Sequence, residues 1–191
     1  QLPPELSAAS LAIGVCVLRA LARQGFAGVQ LKWPNDLVTA AGKLGGILIE
    51  LRGESSGAAY VVIGVGLNLS LGQAARAQIA ASGTAAIDLE MLAREADATA
   101  AGDIDRNALA ASLIGEFVLG LEQFAESGLK TFLEEWRRAD ALRGRSIMVL
   151  TGNQTTRGVA RGVDASGALL VETARGLERH IAGEVSVRPD G

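Results

Sequence analysis

The chain has 191 residues, of which 49% are hydrophobic, enough apolar surface for a packed core and too much for a disordered chain. Lys and Arg number 18 against 21 Asp and Glu, and the resulting charge of −3 argues against a general nucleic-acid binder while leaving room for a local basic patch. The single Cys16 excludes an internal disulfide and fits a reducing compartment, no uninterrupted apolar run approaches the roughly 20 residues of a membrane span, and Pro3-Pro4-Glu5 lacks the basic start of a signal peptide.

Residues 7–24 read as a helix. Leu11, Val15, Leu18 and Ala22 recur at helical spacing, Leu21 widens the stripe, and Pro3-Pro4 and Gly25 punctuate the two ends. Cys16 lies among Ala, Val and Leu with no neighbouring His or Lys, so it reads as a small core residue and not as a reactive thiol.

The stretch from Val29 to Asn68 is the most informative. β-branched and aliphatic runs bounded by Pro, Asn, Asp and Gly predict strands over 29–33, 43–52 and 58–68. These strands carry charged or amide residues at their ends and glycines within, a mixture for which a plain core meander has little use. Gly45 and Gly46 sit early in a strand, where glycine weakens packing, and make sense where a ligand or another backbone comes close. Gly64 and Gly66 lie two apart and open the same face. Lys32 and Lys43 bring positive charge beside those openings, which suits a carboxylate or a phosphate. Asn35, Asp36 and Asn68 supply polar groups for a ribose, a phosphate or a hydrated magnesium ion. Taken singly, each feature also has a plain structural reading: glycine pairs as bulges, and Pro34-Asn35-Asp36 as a turn.

After Asn68 the chain is rich in Ala, with short helices predicted over 73–80 and 88–94. Asn68-Leu69-Ser70 and Asn153-Gln154-Thr155 fit the glycosylation pattern, which has no meaning in a cytosolic chain. From Asp105, which suits an N-cap, Leu109, Leu113, Phe117, Leu121 and Phe124 repeat every three or four residues up to Gly128. A second helix over 129–139 has Phe132, Leu133 and Trp136 on one side, which reads as core packing, with Arg137 and Arg138 near its end. Beyond Arg143 short strands are predicted over 146–150, 156–163, 168–172 and 184–188. Turns at Gly152-Asn153 and Asp164-Ala165-Ser166-Gly167 separate them, as in a small SH3-like barrel. The lone His180 has no partner nearby, no Cys/His cluster has metal-ligand spacing, and no Gly-x-x-x-x-Gly-Lys-Ser/Thr loop occurs.

Three blocks, Lys32-Trp33-Pro34-Asn35-Asp36, Lys43-Leu44-Gly45-Gly46-Ile47-Leu48 and Gly64-Val65-Gly66-Leu67-Asn68, resemble in order and spacing the signatures of the biotin–protein ligase family. That family attaches biotin to carboxylase carrier domains. The end of the chain resembles the family's C-terminal domain in Arg161-Gly162-Val163-Asp164, Gly167-Ala168-Leu169-Leu170 and Gly183-Glu184-Val185-Ser186-Val187-Arg188. The resemblance implies an α+β fold: a class II aminoacyl-tRNA synthetase-like mixed sheet with helices over residues 1–141, and an SH3-like β-barrel over 142–191. It implies a ligase that joins biotin to ATP as biotinyl-5'-adenylate and passes biotin to a carrier lysine, with magnesium beside the phosphates. Lys43 would then meet biotin's carboxylate and the adenylate oxygens, and Lys32 would assist at the phosphates. Gly45, Gly46, Leu48, Gly64 and Gly66 would wall the biotin chain. Asn35, Asp36 and Asn68 would face the nucleotide and its magnesium, with Glu184 and Arg188 supporting ATP from the barrel.

The partners implied are a biotin carboxyl carrier protein domain and a second copy of the chain, met through an edge strand at 43–52 and its loop at 53–57. A cytoplasmic location follows, with no membrane contact, and with nucleic acid only where a helix-turn-helix lies upstream. The family's Gly-Arg-Gly-Arg-x-Gly-Arg loop has no match here, so the chain reads as the second half of a catalytic domain followed by the C-terminal domain. Two alternatives stay open. One is a lipoate–protein ligase relative, against which the Lys-Trp-Pro-Asn-Asp block and the terminal barrel weigh. The other is a binding or dimerising fragment without activity.

Overall fold

A computed structural model describes residues 4–53, 59–81, 85–96, 104–152, 154–181 and 185–189. The first helix, α1 (Pro4–Arg23), is followed by four strands: β1 (Gln30–Lys32), β2 (Asp36–Thr39), β3 (Gly42–Gly53) and β4 (Ala59–Leu67). They form one sheet in the order β1-β2-β3-β4. β2 falls in what reads as a gap after the Asn35-Asp36 turn. Its Leu37-Val38-Thr39 run is a good β-former but too short to declare a strand by itself. The named ladders of this sheet are antiparallel, and parallel pairing is limited to two isolated bridges, Leu31 with Asp140 and Lys43 with Ala86.

The edge expected at 43–52 is met only in the second half of β3. β3 is flanked by β2 as far as Gly46 and by β4 along its length, so β4 is the outer strand. Past Ile47, whose amide donates to the Asn35 carbonyl at 2.9 Å, β3 has no strand on its β2 side among the described residues. The reason lies in lengths: β2 has 4 residues and β3 has 12. Most of the loop at 53–57 lies outside the described residues.

α1 is buried almost all round, with Leu11, Ile13, Val15, Cys16, Val17 and Leu21 each at most 2% exposed. A helix apolar on every side belongs in a core. It packs on the inner face of β3 and against α4 (Arg106–Ser127). The α1–α4 crossing is close because position 120 is glycine: a Cβ there would lie 2.3 Å from the Cys16 sulfur. Burial pushes the Cys16 thiol up to about 11, which makes it inert at neutral pH. The Asp105 carboxylate caps α4, accepting from the Asn107 and Ala108 amides at 2.9 and 3.0 Å. In length and apolarity the run Arg106–Thr131 would suffice to cross a membrane; here α4 packs on α1, with Leu109, Glu116 and Gly120 buried.

Two short helices, α2 (Gln73–Ala81) and α3 (Leu89–Ala96), precede α4. The predicted helix over 129–139 divides into a 3-10 turn (Gly128–Thr131) and α5 (Leu133–Ala139). Trp136 is 1% exposed, in keeping with its core spacing. Arg19 of α1 pairs with Glu135 of α5 at 2.5 Å and lies over the Phe132 ring, tying these helices together.

A second antiparallel sheet follows, in the order β8-β7-β6-β5-β9, from β5 (Ser146–Thr151), β6 (Gln154–Val163), β7 (Leu169–Thr173), β8 (Gly176–His180) and β9 (Val185–Pro189). β8 is absent from the sequence reading because Glu178, Arg179 and His180 mask a strand that lies at the sheet's edge. The two sheets share one core. Trp33 is 1% exposed, and its indole nitrogen donates to the Gly167 carbonyl at 3.0 Å, in the β6–β7 turn. Gly167 has φ +83°, and a Cβ there would lie 3.0 Å from Leu11 Cδ1 and 3.3 Å from Ala8 Cα. The turn is thus seated directly on α1.

Candidate functional site

The β1–β2 turn spans residues 33–35, Trp33-Pro34-Asn35, with Pro and Asn suited to a tight turn. It brings Lys32 opposite Asp36 on neighbouring strands. The Lys32 ammonium reaches one carboxylate oxygen of Asp36 at 3.1 Å, and the Lys43 ammonium hydrogen-bonds the other. Asp36 is therefore held between two cations. Of the three side chains Lys43 is the most open, at 41% exposed against 26% for Lys32 and 17% for Asp36.

Strand register sets the floor. Gly46 pairs with Gly66 and Leu48 with Gly64, so these four residues share one face of the β3–β4 ribbon. With glycine at three of the four positions, that face is a trough. It forms an open cavity of about 470 Å³ lined by Asp36, Lys43, Gly46, Leu48, Gly64 and Gly66, completed by Asn35, Ile47 and Val65. A Cβ on Gly46 would stand 3.7 Å from the Lys43 nitrogen, so glycine there keeps the ammonium reachable from the trough. Sequence reading missed Ile47 and Val65, which are paired across the ribbon between the Gly46–Gly66 and Leu48–Gly64 pairs.

The remaining predicted residues divide. Gly45 points to the opposite face from Gly46 and does not line the cavity; its added Cβ would meet the Gly66 carbonyl oxygen at 2.2 Å, so it is a glycine because a backbone lies against it. The side-chain amide of Asn35 donates to the Ile47 carbonyl at 2.8 Å, and with the Ile47 amide it forms a bracket that fixes the trough's corner. Asn68 donates to the Lys43 and Ile87 carbonyls at 3.3 and 3.0 Å, holding the chain that carries Lys43. It lines a separate cavity of about 430 Å³ with Leu67, Leu69, Ser70, Leu71, Glu90, Ile104 and Arg106. Arg188 is exposed on β9, opposite Met148 in the second sheet, and lines neither cavity. Glu184 lies outside the described residues.

The trough suits a slender apolar ligand that ends in an anion, since glycines give width, Leu48 gives apolar contact and Lys43 gives a cation. It does not build a magnesium cage. Among the described residues no three acidic, His or Cys side chains cluster, and both Asp36 oxygens face ammonium groups.

Residues 3–68 match the family described as Biotin/lipoate A/B protein ligase family, and residues 143–188 match Biotin protein ligase C terminal domain. The bifunctional ligase/repressor BirA of Escherichia coli is 35% identical over 188 residues, covering 98% of this chain and 55% of that protein. The biotin--[acetyl-CoA-carboxylase] ligase of Mycobacterium tuberculosis is 30% identical over 179 residues, 92% of this chain and 60% of its own length. The chain thus spans little more than half of these relatives. Among solved structures, the biotin protein ligase from Aquifex aeolicus in complex with biotin and ATP superposes with a TM-score of 0.79, at 23% identity, over 97% of this chain and 72% of that one. This last likeness concerns the fold.

Proposed function

Because the chain belongs to the biotin protein ligase family, we propose that the protein carrying it activates biotin with ATP and transfers it to a lysine of a biotin carboxyl carrier domain. The observation that carries this reading is the glycine-floored trough with the Lys43 ammonium at its end. Biotin is a bicyclic ring on an aliphatic chain ending in a carboxylate, the shape and charge such a trough accepts.

In the first step a biotin carboxylate oxygen attacks the α-phosphorus of ATP, the bond to the β-phosphate oxygen breaks, and pyrophosphate leaves. Two anions must be brought together, so fixed positive charge lowers the barrier. Lys43 is assigned to biotin's carboxylate and the adenylate oxygens, and Lys32 to the phosphate side. Gly46, Leu48, Gly64 and Gly66 wall the biotin chain, and Gly45 serves it only through the backbone packing that holds the ribbon flat. Asn35, Asp36 and Asn68 are assigned to the nucleotide end, with Glu184 and Arg188 as outlying supports. Magnesium would come with the nucleotide's phosphates and would neutralise part of the charge that builds there. In the second step the free amine of the acceptor lysine attacks the mixed-anhydride carbonyl and AMP leaves.

Residues 1–141 are proposed as the catalytic portion and 142–191 as the C-terminal domain, joined through the core at Trp33 and Gly167. A second copy would add at β4, the outer strand, where Tyr60, Val61 and Val62 are exposed. The inert, buried Cys16 suits the cytoplasm. The test is biotin-dependent exchange of labelled pyrophosphate into ATP by the complete protein, followed by blotting of an added carrier domain for biotin. Exchange that proceeds equally without biotin, or a carrier that stays unlabelled, would overturn the reading.

A further inference from the structure

Asp36 is the one acidic side chain that lines the trough, and it occupies the ammonium assigned above to the incoming carboxylate. Its other oxygen is held by Lys32, which is the less exposed of the two lysines and does not line the trough. The arrangement is asymmetric: one cation is reachable by a ligand, the other is set back. Gly46 leaves the space above the Lys43–Asp36 pair open, since an added Cβ would be 3.8 Å from Asp36 Oδ1 and 3.7 Å from the Lys43 nitrogen. A carboxylate arriving along the trough meets Lys43 where Asp36 already holds it.

We propose that Asp36 is a positioning residue that acts as an exchangeable stand-in for the substrate's carboxylate. In the empty protein it holds Lys43 extended at the end of the trough. When the anionic ligand arrives, Lys43 turns to it, while Asp36 stays in place against Lys32. Once the acyl group has been transferred and AMP has left, Asp36 takes Lys43 back. The inference rests on the proposed reading of Lys43 as the carboxylate contact, and it reassigns Asp36 from a nucleotide ligand to the counter-ion of that contact.

The exchange predicts a selective effect on charge. Binding of biotin and of its uncharged carboxamide is compared by calorimetry in the complete protein. Asp36→Asn keeps the side chain's shape and removes the competing anion. It should raise the ratio of biotin to carboxamide affinity on the order of tenfold. Lys32→Gln frees Asp36 to stay with Lys43 and should lower that ratio, and it should lose this effect when made in the Asp36→Asn background. Equal weakening of both ligands by Asp36→Asn, or a Lys32→Gln effect that persists in the double variant, overturns the proposal. Lys43→Ala separates the two readings. If it abolishes the preference for biotin while Asp36→Asn leaves the ratio unmoved, the stand-in fails and the Lys43 contact stands. If Lys43→Ala leaves the preference intact, the underlying assignment of Lys43 fails.

Discussion

Gly45 and Gly46 are neighbours of identical composition, yet substituting each by Ala should break a different property. At Gly45 the new methyl would meet the Gly66 carbonyl oxygen at 2.2 Å and Leu67 Cδ2 at 3.1 Å. The first of these is backbone in a paired strand, so relief requires prising β4 from β3 by about 1 Å. Overpacking of this kind costs about 1–3 kcal/mol, and a backbone clash belongs at the upper end. For a chain of this size about 3 kcal/mol corresponds to a fall in melting temperature of about 6–12 °C. At Gly46 the nearest atoms would be Asn35 O at 3.6 Å, Lys43 Nζ at 3.7 Å and Asp36 Oδ1 at 3.8 Å, all ordinary contacts. Nothing has to move, so stability should change by no more than about 0.5 kcal/mol. The methyl does stand where a carboxylate would approach Lys43, so biotin affinity should fall on the order of tenfold or more. Thermal melts and biotin calorimetry on both variants make the comparison. A Gly45→Ala protein that melts with the wild type, or a Gly46→Ala protein that binds biotin normally, would refute the division of roles between the two faces of β3.

Three further outcomes are expected. Lys43→Ala in the complete protein should slow pyrophosphate exchange on the order of a hundredfold, by analogy with loss of one oxyanion donor, and Lys43→Arg should not fully restore it because a planar guanidinium is bulkier; unchanged exchange in Lys43→Ala leaves only a solvated lysine. Gly120→Ala should destabilise the α1–α4 crossing, where its Cβ would lie 2.3 Å from the Cys16 sulfur, and Cys16→Ala should recover much of the loss in a double-mutant cycle; strictly additive melting shifts would contradict the contact. Burial tends to raise the Asp164 carboxyl, but the Arg179 guanidinium, the Ser166 hydroxyl and the Ala168 and Ser166 amides outweigh it and hold it at about 2. The folded value is depressed, so its stabilisation is present above the ordinary 3.8 and is lost as pH falls toward 2. Urea melts of Asp164→Asn should lack that part of the acid dependence, and a pH profile identical to the wild type would count against it.

What was legible in the sequence was local. Lys32, Asp36, Lys43, Gly46, Gly64 and Gly66 stood out because charge and glycine are anomalous in β-rich runs, and the fold lines one trough with five of them and sets Lys32 behind Asp36. The helical spacing of Leu11, Val15 and Leu21 likewise pointed to a core helix, and all three are buried. Separating Gly45 from Gly46 needed strand register, because alternation sends neighbours to opposite faces and one glycine answers to a backbone while the other answers to a ligand. β2 escaped notice because four residues make a strand only when β1 and β3 lie on either side of it. Asn68 reads as a ligand by chemistry, yet its amide protons are taken by the Lys43 and Ile87 carbonyls, a commitment that residues 25 and 19 positions away impose.

The hydrogen bond from Trp33 to Gly167 spans 134 positions of chain. A ribosome builds proteins from the N-terminus, so the indole emerges long before the turn that receives it exists. Until residue 167 is made, the Lys-Trp-Pro-Asn-Asp turn stands beside an unfilled place on α1, with a large aromatic surface wet on the side that Gly167 will cover. The Lys-Trp-Pro-Asn-Asp turn is thus seated by a part of the chain made 134 positions later, and a nascent chain halted before residue 164 would carry every trough residue and lack the wedge that seats that turn.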